Sequence, residues 1–312
     1  MSVECVSLLD PATGTTARVL VGFGFNCYEF RVQQKDRSID VLWSAADFAR
    51  GQERASGSGI PILFPFPGRI RGTVFAWQGR EYPLEAGDGR GNAIHGFVLN
   101  RPWRVIEQTE TRVVGQFQAS SDDPALLQCW PADFRITVSY EVANAALNSR
   151  IIVENPDDKP LPCGLGTHPY FRLPLGGRSA GDCTIRLPVA ESWELREMLP
   201  TGNRLPVPNA TAYQAGLRFA DLTLDNVFTG LCFLDDWCQA SITDPDSGAT
   251  MSLQFDQTFR ECVVYTPPHR EAVCIEPYTC VPGGFALDGV DAGLRVLGPG
   301  ESFQADVKLR VT

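Results

Sequence analysis

Short runs of alternating apolar and polar residues dominate this 312-residue chain. In "RITVSYEV", Ile136, Val138, Tyr140 and Val142 fall on one face, and Thr137, Ser139 and Glu141 on the other. Period-two alternation of this kind predicts a half-buried antiparallel strand. Similar runs recur in "RVVGQFQAS", "SRIIVEN", "CTIRLPV", "GLCFLDD", "ASITDP", "EAVCIEPYT" and "FQADVKLRV", punctuated by Gly, Pro, Asn and Asp. The pattern predicts an all-β chain of packed antiparallel sheets. Helical signals are sparse; the best is "SSDDPALLQCW", where Asp123 is expected to cap a short surface helix with Pro124 in its first position. No linker, repeat or low-complexity segment interrupts the chain, so one domain over residues 1–312 is expected.

Composition adds exclusions. With 44% hydrophobic and 21% charged residues the chain can bury a large core. Its net charge of −10 opposes binding to nucleic acid or anionic lipid, so a neutral or cationic small molecule is the expected partner. The N-terminus lacks a basic start followed by an apolar block, and no apolar run approaches membrane-spanning length. The ten cysteines contain no CxxC pair, and several sit in strand-like runs, which suits reduced thiols in a cytoplasmic protein without a structural metal.

Four segments depart from plain strand-and-turn grammar. In "GIPILFPFPGRIRG", Pro61, Pro65 and Pro67 argue against a central strand, and Arg69 and Arg71 follow, suited either to bidentate hydrogen bonding or to simple solvation. In "GNAIHGFVLNRPW", His95 precedes a glycine, and Trp103 fits a sugar-stacking face or the core equally well. In "LGTHPYF", Pro169 biases His168 towards an extended conformation that places Gly166, His168 and Tyr170 on one face. In "EAVCIEPYT", alternation sets Val273 and Ile275 against Cys274, Glu276 and Tyr278, and a carboxylate there needs a partner or a function. A carboxylate of ordinary acidity accepts a proton at neutral pH, and a histidine beside it keeps one to donate, so Glu276 and His168 form a candidate base and acid. His269, between prolines and charges, reads as a surface loop residue.

Eight segments in order, "GIPILFPFPGRI", "NAIHG" with its tryptophan, "CWPADFRITVSYEV", "NPDDKPLPCGLGTHPYFRL", "LPTGNRLPV", "LDNVFTG", "VVYTPPHREAVCIEPYT" and "LGPGESF", resemble the aldose 1-epimerases of the galactose mutarotase-like superfamily. The resemblance implies one large antiparallel β-supersandwich with a monosaccharide cleft. It implies that Glu276 is the general base at the anomeric hydroxyl, that His168 is the general acid at the ring oxygen, and that His95 is a second histidine holding that oxygen. Arg69, Asp225 and Tyr170 are implied as substrate-binding residues. It implies no metal and no cofactor, and a monomer or homodimer acting on a free aldose such as glucose or galactose. Three segments depart from the family pattern: the usual "PNRI" reads "PGRI" at Gly68, the "HGG" of dedicated galactose mutarotases reads "HGF" at Phe97, and "VPGGFALDG" replaces the usual Pro-Asp-Ala-x-Asn after the glutamate. A hexose 6-phosphate epimerase, a non-catalytic sugar-binding module and a glycosidase using Asp225 and Glu276 remain as alternatives.

Overall fold

The computed structural model describes residues 3–34 and 37–312. Among them, antiparallel strands prevail. A ten-stranded sheet and an eight-stranded sheet form the body, with a four-stranded N-terminal sheet and three two-stranded ribbons around them. The arrangement is the large antiparallel β-supersandwich that the pattern and the resemblance imply.

The strand Arg135–Ala143 shows how sequence alternation builds this body. Ile136, Val138, Tyr140 and Val142 are fully buried, while the intervening residues are part-exposed. Each such apolar side chain contributes roughly 1.5–3 kcal/mol on burial. The strand pairs on one side with Arg112–Gln118 and on the other with Ala146–Glu154, which in turn pairs with Ser302–Val311. Tyr140, Ile151, Leu253, Val307 and Leu309 of this sheet meet Ile62, Thr167 and Pro169 of the eight-stranded sheet across the interior.

Proline placement follows the expected logic. "GIPILFPFPGRI" contributes two short strands, Ile62–Leu63 at the edge of the eight-stranded sheet, where a missing N–H is tolerated, and Arg69–Ile70 in a ribbon with Ala93–Ile94. Two local expectations change. "SSDDPALLQCW" forms a single α-helical turn, Ala119–Asp122, followed by the 3-10 turn Pro124–Gln128. Pro124 does occupy the first position of the latter, but Asp123 caps nothing with its side chain, because its carboxylate pairs with Arg101 at 2.6 Å. In "GLCFLDD" only Phe233–Leu234 is a strand, because Asp235 and Asp236 both take positive φ and turn the chain straight back into Trp237–Thr243. No helix among the described residues is long and apolar enough to cross a membrane.

Candidate active site

The strand Ala272–Tyr278 carries the site and is buried along its whole length. Val273 and Ile275 enter the main core, and Cys274, Glu276 and Tyr278 project to the opposite face, as the alternation predicts. Glu261–Tyr265 flanks it on one side with Val263 opposite Glu276. On the other side run two short strands, Gly166–Thr167 and Tyr170–Arg172, split at His168–Pro169. Gly166 faces Tyr278 and Tyr170 faces Cys274, so His168, midway between them, falls opposite Glu276. Cross-strand register therefore joins two residues 108 positions apart in sequence.

His168 Nε2 lies 3.4 Å from Glu276 Oε1, and both side chains are buried. The imidazole stacks on the Tyr170 ring with centroids 4.9 Å apart, so the two are neighbours as expected. Tyr278 donates its hydroxyl to Glu276 Oε2 at 2.7 Å. That contact was not anticipated from the sequence, although "EPY" places Tyr278 two residues on and hence on the same face.

His95 closes the other wall, its ring edge-on to His168 at 5.5 Å. Both His95 and Gly96 take positive φ, which turns the chain so that the Gly68 amide donates to His95 Nδ1 at 3.3 Å. A neutral His95 accepting at Nδ1 carries its hydrogen on Nε2, the donor left for a ligand. Glycine is required next to it, since a Cβ on Gly96 would lie 2.1 Å from the Phe64 carbonyl oxygen. Gly96→Ala is therefore expected to lower unfolding free energy by at least about 2 kcal/mol in urea titrations, from strained backbone and a contact that cannot relax.

Burial governs protonation here. It pushes the Glu276 carboxyl well above the usual carboxylate range, against the Tyr278 hydroxyl bond and the Arg69 charge. It drives His168 down to about 3 and His95 well below an ordinary histidine. Both shifts run against the expectation of an ionised Glu276 beside a protonated His168 and favour the uncharged pair. Desolvation of two buried groups outweighs their attraction across 3.4 Å.

Arg69, His95, His168, Tyr170, Asp225 and Glu276 all line one cleft of about 210 Å³. Arg69 is held there by the fully buried carboxylate of Asp88, 3.1 Å from its Nε. Asp88 also accepts from the Arg90 and Asn92 amides and from the Asn92 side chain, which keep it charged. Asp225 is solvent-exposed at the rim, and partial desolvation raises its carboxyl. Arg71 is exposed and is not among the residues lining the cleft, and Trp103 is core, stacked on Phe25 at 5.4 Å. Gly68 and Pro282, from two of the departing segments, touch each other: a Cβ on Gly68 would lie 2.4 Å from Pro282. His269 is exposed, as expected, and stacks on Trp43.

All ten cysteines are free thiols. Cys274 brings its sulfur within 4.8 Å of His168 and Glu276 donor atoms, but burial holds the thiol protonated, packed beneath Tyr170.

A second buried carboxyl, Glu261, lies on the same sheet face beyond Tyr278 and accepts from Trp193 Nε1 at 2.8 Å. Burial raises it to about 7 despite that bond and the nearby Arg204 and Arg260. A folded-state value above the unfolded one makes the neutral form the stabilising one. Its contribution is complete below about 4.5 and is lost as pH climbs through 7. Unfolding free energy is expected to fall between pH 5 and pH 8 by a smaller amount in Glu261→Gln than in the parent, measured by urea titration. Equal slopes would contradict this.

The sequence model of the family described as Aldose 1-epimerase matches residues 9–310. This chain belongs to the aldose 1-epimerase family. It is 26% identical to the Escherichia coli K12 protein YihR over 234 residues, 74% of this chain and 72% of that one. Its fold matches a galactose mutarotase-like protein from Clostridium acetobutylicum with a TM-score of 0.87 at 21% identity, over 100% of this chain and 99% of the other. It also matches a galactose 1-epimerase from Lactobacillus acidophilus with a TM-score of 0.74 at 19% identity, over 100% and 99% of the two chains. Aldose 1-epimerase membership therefore rests on the family match, and the two structures establish the shared fold.

Proposed function

We propose that the protein interconverts the α and β anomers of a free aldose, with Glu276 as general base and His168 as general acid. The observation that carries this reading is the buried His168–Glu276 pair, 3.4 Å apart on the floor of a cleft rimmed by Arg69 and Asp225. The whole chain acts as one unit in this reading, because the residues it uses run from position 69 to position 276.

The pair holds one transferable proton. A sugar hydroxyl donated to Glu276 adds to the Tyr278 hydroxyl and the Arg69 charge, all of which favour the carboxylate and move the proton to His168. Glu276 then takes the proton from the anomeric hydroxyl while His168 gives its own to the ring oxygen, which His95 Nε2–H also holds. The C1–O5 bond breaks and the aldehyde forms. Glu276 is now protonated and His168 neutral, the arrangement that burial favours. After rotation about C1–C2 the same two transfers in reverse close the ring on the other face.

Polarimetry on freshly dissolved α-D-glucose and α-D-galactose tests the reading. Acceleration over buffer supports it. Sugar binding without acceleration would favour a non-catalytic module, and release of a chromogenic aglycone would favour glycoside cleavage.

A further inference from the structure

Arg54 sits in "RASGSG", between the 3-10 turn Phe48–Arg50 and the edge strand Ile62–Leu63. Its side chain lines the catalytic cleft and also a second cavity of about 300 Å³, and the wall between the two is built from Arg54, Ser56, Ile94 and His95. Unlike Arg69, it has no carboxylate within 4.0 Å among the described residues. Its partner is the Gly87 carbonyl, at a long 3.4 Å. Arg54 is solvent-exposed and shares that wall with His95, whose ring lies 5.5 Å from that of His168. It therefore stands on the His95 side of the cleft, free to pair with a ligand.

Pyranose connectivity gives that position a meaning. The ring oxygen is bonded to C1 and C5, and the exocyclic carbon hangs from C5. If Glu276 takes the proton from the C1 hydroxyl and the two histidines hold the ring oxygen, the exocyclic carbon projects on the histidine side, towards Arg54 and the cavity behind it. A guanidinium fork matches a planar carboxylate or a phosphate at that carbon.

We propose that Arg54 is a specificity residue that selects aldoses bearing an anionic group on the exocyclic carbon. The proposal rests on the epimerase reading for the orientation of the ring. The local charge runs against the net charge of −10, which repels anions at long range; fixed ion pairing at contact distance decides selection within the cleft.

The test uses the full chain with D-glucose, D-glucuronate and D-glucose 6-phosphate at constant ionic strength, with spontaneous rates subtracted. In the parent, kcat/KM for one of the two anionic sugars exceeds that for glucose, and the two arms tell carboxylate from phosphate. In Arg54→Gln the ratio of that anionic sugar to glucose falls roughly 10- to 100-fold, the weight of a hydrogen-bonded charge. A parent that prefers glucose, or a ratio unchanged by the substitution, overturns the proposal. If the parent accelerates none of the three and not galactose either, the epimerase reading fails by itself. Calorimetric titration with the same sugars then decides the role of Arg54: loss of an anionic preference in Arg54→Gln supports it, and equal affinities overturn it.

Discussion

Glu276→Gln is expected to slow anomer interconversion by about 10²- to 10⁴-fold, the usual contribution of a positioned general base. The substitution keeps the size and planarity of the side chain, and the amide oxygen can still accept from Tyr278, which lies 2.7 Å from Glu276 Oε2. What it removes is the oxygen able to take the proton of the anomeric hydroxyl. Folding should suffer little, because burial disfavours the charged carboxylate at Glu276 and an amide is neutral at every pH. The loss should therefore appear in the rate, measured by polarimetry, with an unchanged urea midpoint. A variant that equilibrates fresh anomers at the parental rate would remove Glu276 from the mechanism.

His168→Ala is expected to cost a similar factor, about 10²- to 10⁴-fold, and to place it in kcat. Arg69, Asp225 and Asp88 lie on other segments and keep their places, so KM should change little by comparison. Removing the imidazole takes away the neighbour of Glu276 Oε1, 3.4 Å distant, and exposes the Tyr170 ring that it covers. The two substitutions together are expected to cost no more than the worse one alone, because acid and base act as a unit in the same proton transfer. Fully multiplicative losses would mean that the two residues serve separate steps.

Much of the site is legible in the chain because β-structure writes its faces with period two. "RITVSYEV" buries the residues that the alternation selects. "GTHPYF" sets His168 and Tyr170 on one face and "CIEPY" sets Glu276 and Tyr278 on one face, and His168 and Glu276 meet because the strands that hold them pair around a common register. What escapes sequence reading depends on depth and on side-chain reach. The charged forms of the pair are disfavoured because both groups lie below the surface, and burial is a property of the assembled sheets. Asp123 fails to cap because Arg101, distant in sequence, arrives at its carboxylate. Tyr278, Asp88 and Arg54 carry no motif of their own; they matter through a hydroxyl aimed at Glu276, a carboxylate gripping Arg69 and a guanidinium sharing a cleft wall with His95. The contact of Gly68 with Pro282 joins two segments that look independent in sequence.

Magnetisation transfer between the α and β anomeric protons at equilibrium tests the central claim most directly, because it reads interconversion without any coupled enzyme. With neutral and anionic aldoses in turn, the parent is expected to transfer saturation between anomers of at least one sugar far faster than buffer, and Glu276→Gln to return that sugar close to the buffer rate. Exchange at the buffer rate for every aldose in the presence of the parent protein would contradict the account.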